Sequence, residues 1–327
     1  MIELLTATAI FLLVAVVVAS IVNDTARVSG LAKRKIGAEG VANQVFDRMA
    51  ADFQRAVFQA DLPDRIEKLD GNDLLTFYTR AEAYQGDRGF SKVGYKVEEE
   101  NLLRGAEGFS WWGTGGLSQL PFTGITPEGP SNPTATTFTE TLEPQILNPD
   151  DFERLGPGVF RMEYCFLLKD GTLSTVPVRQ PAGVLNTIAA TTSPGTTTSG
   201  YAAGSRWFRP TSTSAASRTF VCMGTTGTAA TWKRLGWDDV TAIVVGIAVI
   251  DPGTRRAFAD VLTPAMLNEM AQAFPAAADG EDILEAWSGT STTSQPQWEQ
   301  NFQGIAGLPP KILGAIVVRQ QYFPIGD

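Results

Sequence analysis

From Leu4 to Val22 the sequence carries no charged residue, no proline and no glycine. A helix of that length, at about 1.5 Å of rise per residue, reaches about 30 Å, the thickness of a bilayer's hydrocarbon core. A helix buried in a soluble core seldom stays apolar on every face for so long, so residues 1–22 read as a membrane span. A removable secretory signal is the competing reading. Val18-Ala19-Ser20 loosely resembles a cleavage site, but no positively charged n-region precedes the run. The basic residues follow it: Arg27, Lys33, Arg34 and Lys35. The positive-inside rule then puts the C-terminal side in the cytoplasm, unless a basic leader stands upstream of Met1.

The helical pattern continues past the span. Val41, Val45, Phe46, Met49, Phe53 and Val57 recur mostly at spacings of three to four, one stripe of an amphipathic helix over residues 23–60. Arg48, Asp52 and Arg55 are assigned to its polar side. Gly30, Gly37 and Gly40 are expected to weaken and bend its middle, and Asp61-Leu62-Pro63 to end it. Residues 61–327 then turn β-rich. Asp73–Thr79, Lys92–Val97, Asn101–Arg104, Val159–Leu168 and Val240–Ile250 read as strands, the last apolar enough to be central. Lys169-Asp170-Gly171 reads as a hairpin turn into Leu173–Val176, and Ile312–Phe323 as the closing strand. Helices are expected over Thr263–Ala273, opened by Thr-Pro, Asp282–Trp287 and Gln295–Ile305. Two Thr/Ser/Gly-rich stretches, 122–149 and 186–231, read as surface-loop insertions.

Composition removes most catalytic chemistry. The chain of 327 residues has no histidine and two cysteines, so no Ser-His-Asp triad, His-containing zinc site or four-cysteine cluster can be built from it alone. A net charge of −9 argues against nucleic acid as a partner. No phosphate-binding glycine motif or calcium loop is present, and no cofactor or metal is expected. The acidic groups Glu98-Glu99-Glu100, Asp150-Asp151 with Glu153, and Asp238-Asp239 lack a recognisable acid-pair arrangement and read as solvated turns and strand ends. A membrane-anchored carboxylate hydrolase built on them is the least favoured reading. Trp111 and Trp112, beside Gly113, could form an aromatic sugar platform, although adjacent strand residues point to opposite faces, which favours one of them as a core anchor. Cys165 and Cys222 form an even pair. Outside the cytoplasm such a pair reads as a disulfide, against the alternative of two separate buried thiols.

Ile2-Glu3-Leu4 followed by an apolar helix resembles the start of mature type IV pilins and pseudopilins. That resemblance implies a basic leader, its terminal glycine and the first two mature residues upstream of Met1. It also implies cleavage and N-terminal methylation by prepilin peptidase, and a subunit-assembly role for Glu3, paired with the terminal amine of a neighbouring subunit. The motifs Arg48-Met49-Ala50-Ala51-Asp52-Phe53, Gly71-Asn72-Asp73, Val93-Gly94-Tyr95, Phe160–Phe166, Ala242–Ala248 and Arg319–Phe323 together resemble the set called Verru_Chthon cassette protein C. Those prepilin-like proteins are similar to the J-type minor pseudopilin of type II secretion. The resemblance implies an α+β lollipop, a long N-terminal helix packed on an antiparallel sheet, anchored in a bacterial inner membrane with its head in the periplasm or on a filament. Its implied partners are major and minor pilins or pseudopilins, and secreted cargo. The large head suits a minor or tip subunit. A membrane-tethered adhesin or carbohydrate-binding module using Trp111 and Trp112 is the alternative function.

Overall fold

A computed structural model of the chain describes residues 2–58, 64–68, 71–81, 91–108, 152–181, 187–190, 193–194, 200–210, 217–227, 229–289 and 295–325. The chain opens with helix α1 (Ile2–Phe53), followed by strands β1 (Ala56–Val57), β2 (Arg65–Glu67), β3 (Leu74–Thr79), β4 (Ser91–Glu98), β5 (Asn101–Gly108), β6 (Phe152–Pro157), β7 (Val159–Leu168) and β8 (Leu173–Ser174). Then come β9 (Thr187–Ala189), β10 (Arg206–Arg209), β11 (Arg218–Thr226), β12 (Ala229–Leu235) and β13 (Val240–Ile250). A helical layer of α2 (Pro252–Ala257), α3 (Pro264–Gln272), α4 (Ile283–Ser288), α5 (Gln297–Gln303) and α6 (Pro310–Leu313) precedes the last strand, β14 (Ile316–Pro324). The class is α+β, with a long N-terminal helix against antiparallel sheet, as the sequence suggests.

Among the described residues the strands form three sheets. The first runs β1-β3-β4-β5-β6, with β2 also paired to β3; the second runs β14-β13-β7-β8; the third runs β12-β11-β10-β9. Neighbours are antiparallel except β9 and β10, which are parallel. β13 is flanked on both sides, by β14 and β7. Its near-continuous apolar text follows from its position, because both faces are covered. Ile243, Val245, Ile247 and Val249 enter the core shared with α1, while Val244, Ala248 and Ile250 enter the core shared with the helical layer.

Local chemistry sets the helix starts. Thr263 caps α3, its side chain accepting the Met266 amide, with Pro264 in the first turn. Asp282 caps α4 by accepting the Leu284 and Glu285 amides. At Gly246 a side chain is excluded by that layer, since a Cβ there would lie 2.6 Å from Ile283 Cγ2 and 3.2 Å from Trp287 Cη2.

Several expectations change. The closing strand begins at Ile316 rather than Ile312, because Pro310 opens the short helix α6 that takes in Ile312 and Leu313. Helix α1 ends at Phe53 rather than near residue 60. Its continuation is taken by the first sheet: Ala56 and Val57 pair with Thr79 and Tyr78, Arg80 N–H donates to Arg55 O at 2.9 Å, and Thr79 Oγ1 donates to Asp52 O at 2.9 Å. Asp61-Leu62-Pro63, the expected stop, lies outside the described residues. The stretch 186–231 is not only loop, because β9, β10, β11 and part of β12 lie in it. Phe220, Cys222, Ala230 and Trp232 form a small buried cluster there. The 122–149 stretch lies outside the described residues. Gly30, Gly37 and Gly40 all sit within one uninterrupted helix. Gly37 has a packing role, since a Cβ there would lie 2.8 Å from Asp251 Oδ1.

Candidate functional site

The element with the clearest functional character is α1, whose two halves differ in surroundings rather than in backbone. Ile10, Phe11, Leu12, Leu13, Val16 and Ile21 are each 60% or more exposed. Large apolar side chains bared on every face for several turns have no place in water. By length and composition α1 is long and apolar enough to cross a membrane. Its hydroxyls are compatible with that setting, because Thr6 Oγ1 donates to Glu3 O at 2.9 Å and Thr25 Oγ1 to Ile21 O at 2.8 Å, returning polar groups to the helix itself. Glu3 is exposed in the first turn, where the helix dipole favours a carboxylate.

The second half is held by the head. Ala38, Ala42, Val45, Phe46, Met49 and Phe53 are buried at spacings that follow one helix face. Phe46 and Phe53 pack on Phe323 with ring centroids 5.8 and 5.1 Å away, and Phe53 stacks on Phe77 at 5.0 Å. Val45 meets Gly156, where a Cβ would come within 2.6 Å of Val45 Cγ2. Further toward the N-terminus, Glu39 pairs with Arg319 at 3.2 Å, and Leu31 approaches Gly314.

The stem ends in a buried charge cluster. Asp52 is fully buried, not on the polar side where the sequence reading put it. It stands three residues after Met49 and seven after Val45, so helical spacing returns it to the buried face. Arg104 of β5, also fully buried, donates to it twice, Nε to Oδ2 at 2.6 Å and Nη2 to Oδ1 at 2.9 Å. Tyr95 Oη of β4 donates to Asp52 Oδ2. Burial, and then the Asp52 charge, push the Tyr95 hydroxyl well above its ordinary pKa, so it stays a donor. Burial pulls the Arg104 guanidinium down, but the hydrogen bonds and charge of Asp52 outweigh it and leave the pKa raised. Glu153, from one of the acidic groups noted in the sequence, lies 3.5 Å from Arg104 Nη1.

The remaining sequence candidates disperse. Cys165 and Cys222 are free thiols, both buried. The expected bridge is not formed, because Cys165 on β7 belongs to the core beneath the helical layer and Cys222 on β11 to the separate cluster of the third sheet. Burial pushes the Cys165 thiol up to about 12, which suits an inert core residue. Trp111, Trp112, Asp150 and Asp151 lie outside the described residues. Glu100 forms a two-pronged pair with Arg255, and Glu98 pairs with Lys96 at 2.6 Å. Asp239 pairs with Arg206 at 3.1 Å and Arg179 at 3.5 Å. These acids are partners of cations, and Asp239 is buried, where the sequence suggested solvated turns and strand ends. Among the described residues no group of three or more acidic or cysteine side chains is placed to hold a metal ion.

No protein-family model matches the chain, and no curated protein matches it. Among solved structures, a type IV-like pilin from Thermus thermophilus aligns with 88% of this chain and 94% of its own length, at 10% identity and a TM-score of 0.33. A superposition that loose identifies neither family nor function.

Proposed function

We propose that this chain is a structural subunit of the pilin or pseudopilin kind, a minor subunit of a type II secretion or type IV pilus-like filament. The observation that carries the reading is α1 itself: one helix from Ile2 to Phe53, bare and apolar in its first half and built into the head's core in its second. A subunit stored in a bilayer and then packed helix-to-helix in a filament needs that division. The first half exchanges lipid for neighbouring helices, while the second keeps the head fixed to it. In this reading Glu3 pairs with the terminal amine of an adjoining subunit, because a carboxylate in an apolar medium needs a cation. Prepilin peptidase acts before assembly, the inner membrane holds the subunit with its head in the periplasm or on the filament, and the partners are other major and minor subunits and secreted cargo. The function in this reading is structural rather than enzymatic.

Intact-mass and N-terminal peptide spectrometry on the protein isolated from membranes tests this. A methylated N-terminus two residues before Met1 is the expected result. A chain beginning at Met1, or cut near Ser20, overturns it.

A further inference from the structure

Beyond the stem, the head carries a cleft that the filament reading does not use. It has a volume of about 550 Å³ and lies where the chain leaves α1, lined by Gln54 to Phe58, Arg80, Lys169, Trp237, Asp238, Val240 and Ile325. Its walls are pinned by backbone bonds: Arg80 N–H to Arg55 O at 2.9 Å, Lys169 N–H to Asp239 O at 2.8 Å, and Ile325 N–H to Thr241 O at 3.1 Å. Phe58 and Trp237 stack face to face with centroids 3.7 Å apart and planes 9° apart. Trp237 is further fixed by its indole N–H, which donates to Asp64 at 2.6 Å, and by the edge of Phe166.

The charges of this cleft run against those of the molecule. The chain's net charge is −9, yet Arg55, Arg80 and Lys169 line the cleft with Asp238 as its acidic residue. Arg55 and Arg80 are held side by side by their backbone bond, and none of the three cations makes a side-chain ion pair among the described residues. Like charges held together repel unless an anion joins them. The geometry points to a binding site for an acidic, partly apolar peptide segment of another protein, its carboxylates met by Arg55, Arg80 and Lys169 and an apolar side chain set near Val57, Phe58 and Ile325. Arginine pairs with carboxylate through two parallel hydrogen bonds, and the volume falls within the range of small-ligand sites. A bare inorganic anion would leave the half-buried apolar lining of Val57, Phe58 and Ile325 without a partner, so a ligand with both characters fits better. The site stands whether or not the chain enters a filament.

The test is calorimetric titration of the full chain in detergent micelles with the acetylated peptide Leu-Glu-Leu-Glu, and with Leu-Gln-Leu-Gln as control. Saturable binding of the first and not the second is expected, weakened at least tenfold between about 50 and 500 mM salt. The combined variant Arg55→Gln, Arg80→Gln, Lys169→Gln should lose at least tenfold in affinity with a thermal midpoint no lower than the parent's, since these exposed side chains carry no ion pair and their mutual repulsion is relieved. Asp238→Asn should tighten binding about threefold. The inference is overturned by absence of saturable binding, by equal binding of the glutamine peptide, by an unchanged affinity in the triple variant, or by displacement with an equal concentration of inorganic phosphate. Binding that appears only after removal of Gly326 and Asp327 would assign the cleft to those residues of the same chain and overturn it as well.

Discussion

Asp52 shows how one residue commits the stem to the head. Its carboxylate and the Arg104 guanidinium are both withdrawn from water, and each offsets much of the other's desolvation cost. Asp52→Ala removes both close hydrogen bonds from a buried cation, leaving Glu153 at 3.5 Å, and should cost about 3 kcal/mol in unfolding free energy. The double change with Arg104→Met should cost clearly less than the sum of the single changes, a coupling that denaturant unfolding of the four species will read. Asp64 carries a different charge cost. Burial raises its pKa from 3.8 to about 6, against the opposing effects of Arg218 and the Trp237 hydrogen bond. A carboxyl with a raised folded pKa adds stability below about pH 4 and loses that addition as pH rises through about 6. Asp64→Asn should therefore flatten the stability profile, reducing the drop between pH 4.5 and 7 by up to about 2 kcal/mol. An identical pH profile in both proteins would show that Asp64 does not titrate this way.

At the scale of elements, the turn joining β4 to β5 holds two non-glycine residues at positive φ, Glu99 at 46° and Glu100 at 60°. A two-residue hairpin loop of this kind favours Asn or Gly. Glu100 is committed to Arg255, but the side chain of Glu99 is exposed, so Glu99→Gly should stabilise the head by about 0.5–1 kcal/mol in chemical unfolding. Gly246→Ala should do the reverse. The added methyl meets Ile283 and Trp287 on the helical layer, and overpacking there should cost about 1–3 kcal/mol. Elements with strong local signals were readable from the sequence. β7 and β13 have the bounds their apolar runs suggested, and α3 and α4 begin at the caps Thr263 and Asp282. The third sheet was hidden because Ser, Thr, Ala and Gly dominate its text, though Phe220 with Cys222 and Ala230 with Trp232 carried the alternation of a half-buried strand. The end of α1 could not be read locally, because partners distant in sequence, Thr79 and Arg80, claim its backbone. The cleft at Arg55 and Arg80 escaped for the same reason: Lys169, Trp237 and Ile325 reach it only through the fold.

The whole molecule divides into a part that needs the head and a part that does not. Described side chains from Ile10 to Gly30 stand exposed, so a chain beginning at Leu31 should dissolve without detergent. It should unfold within about 1 kcal/mol of the full chain, a difference that parallel denaturant titrations will resolve. Failure of the shortened chain to fold would mean that the bare half supports the head after all. The continuity of α1 bears on force as well. At about 1.5 Å per residue the helix is a strut of about 78 Å, with no described break between Ile2 and Phe53. Tension on its exposed half runs along the helix axis, parallel to the face that carries Ala42, Val45, Phe46, Met49 and Asp52. These contacts are then loaded together in shear rather than opened one after another like a zipper. The charged clamp stands at the far end of the line, so the head should let go of its stem late and abruptly under load.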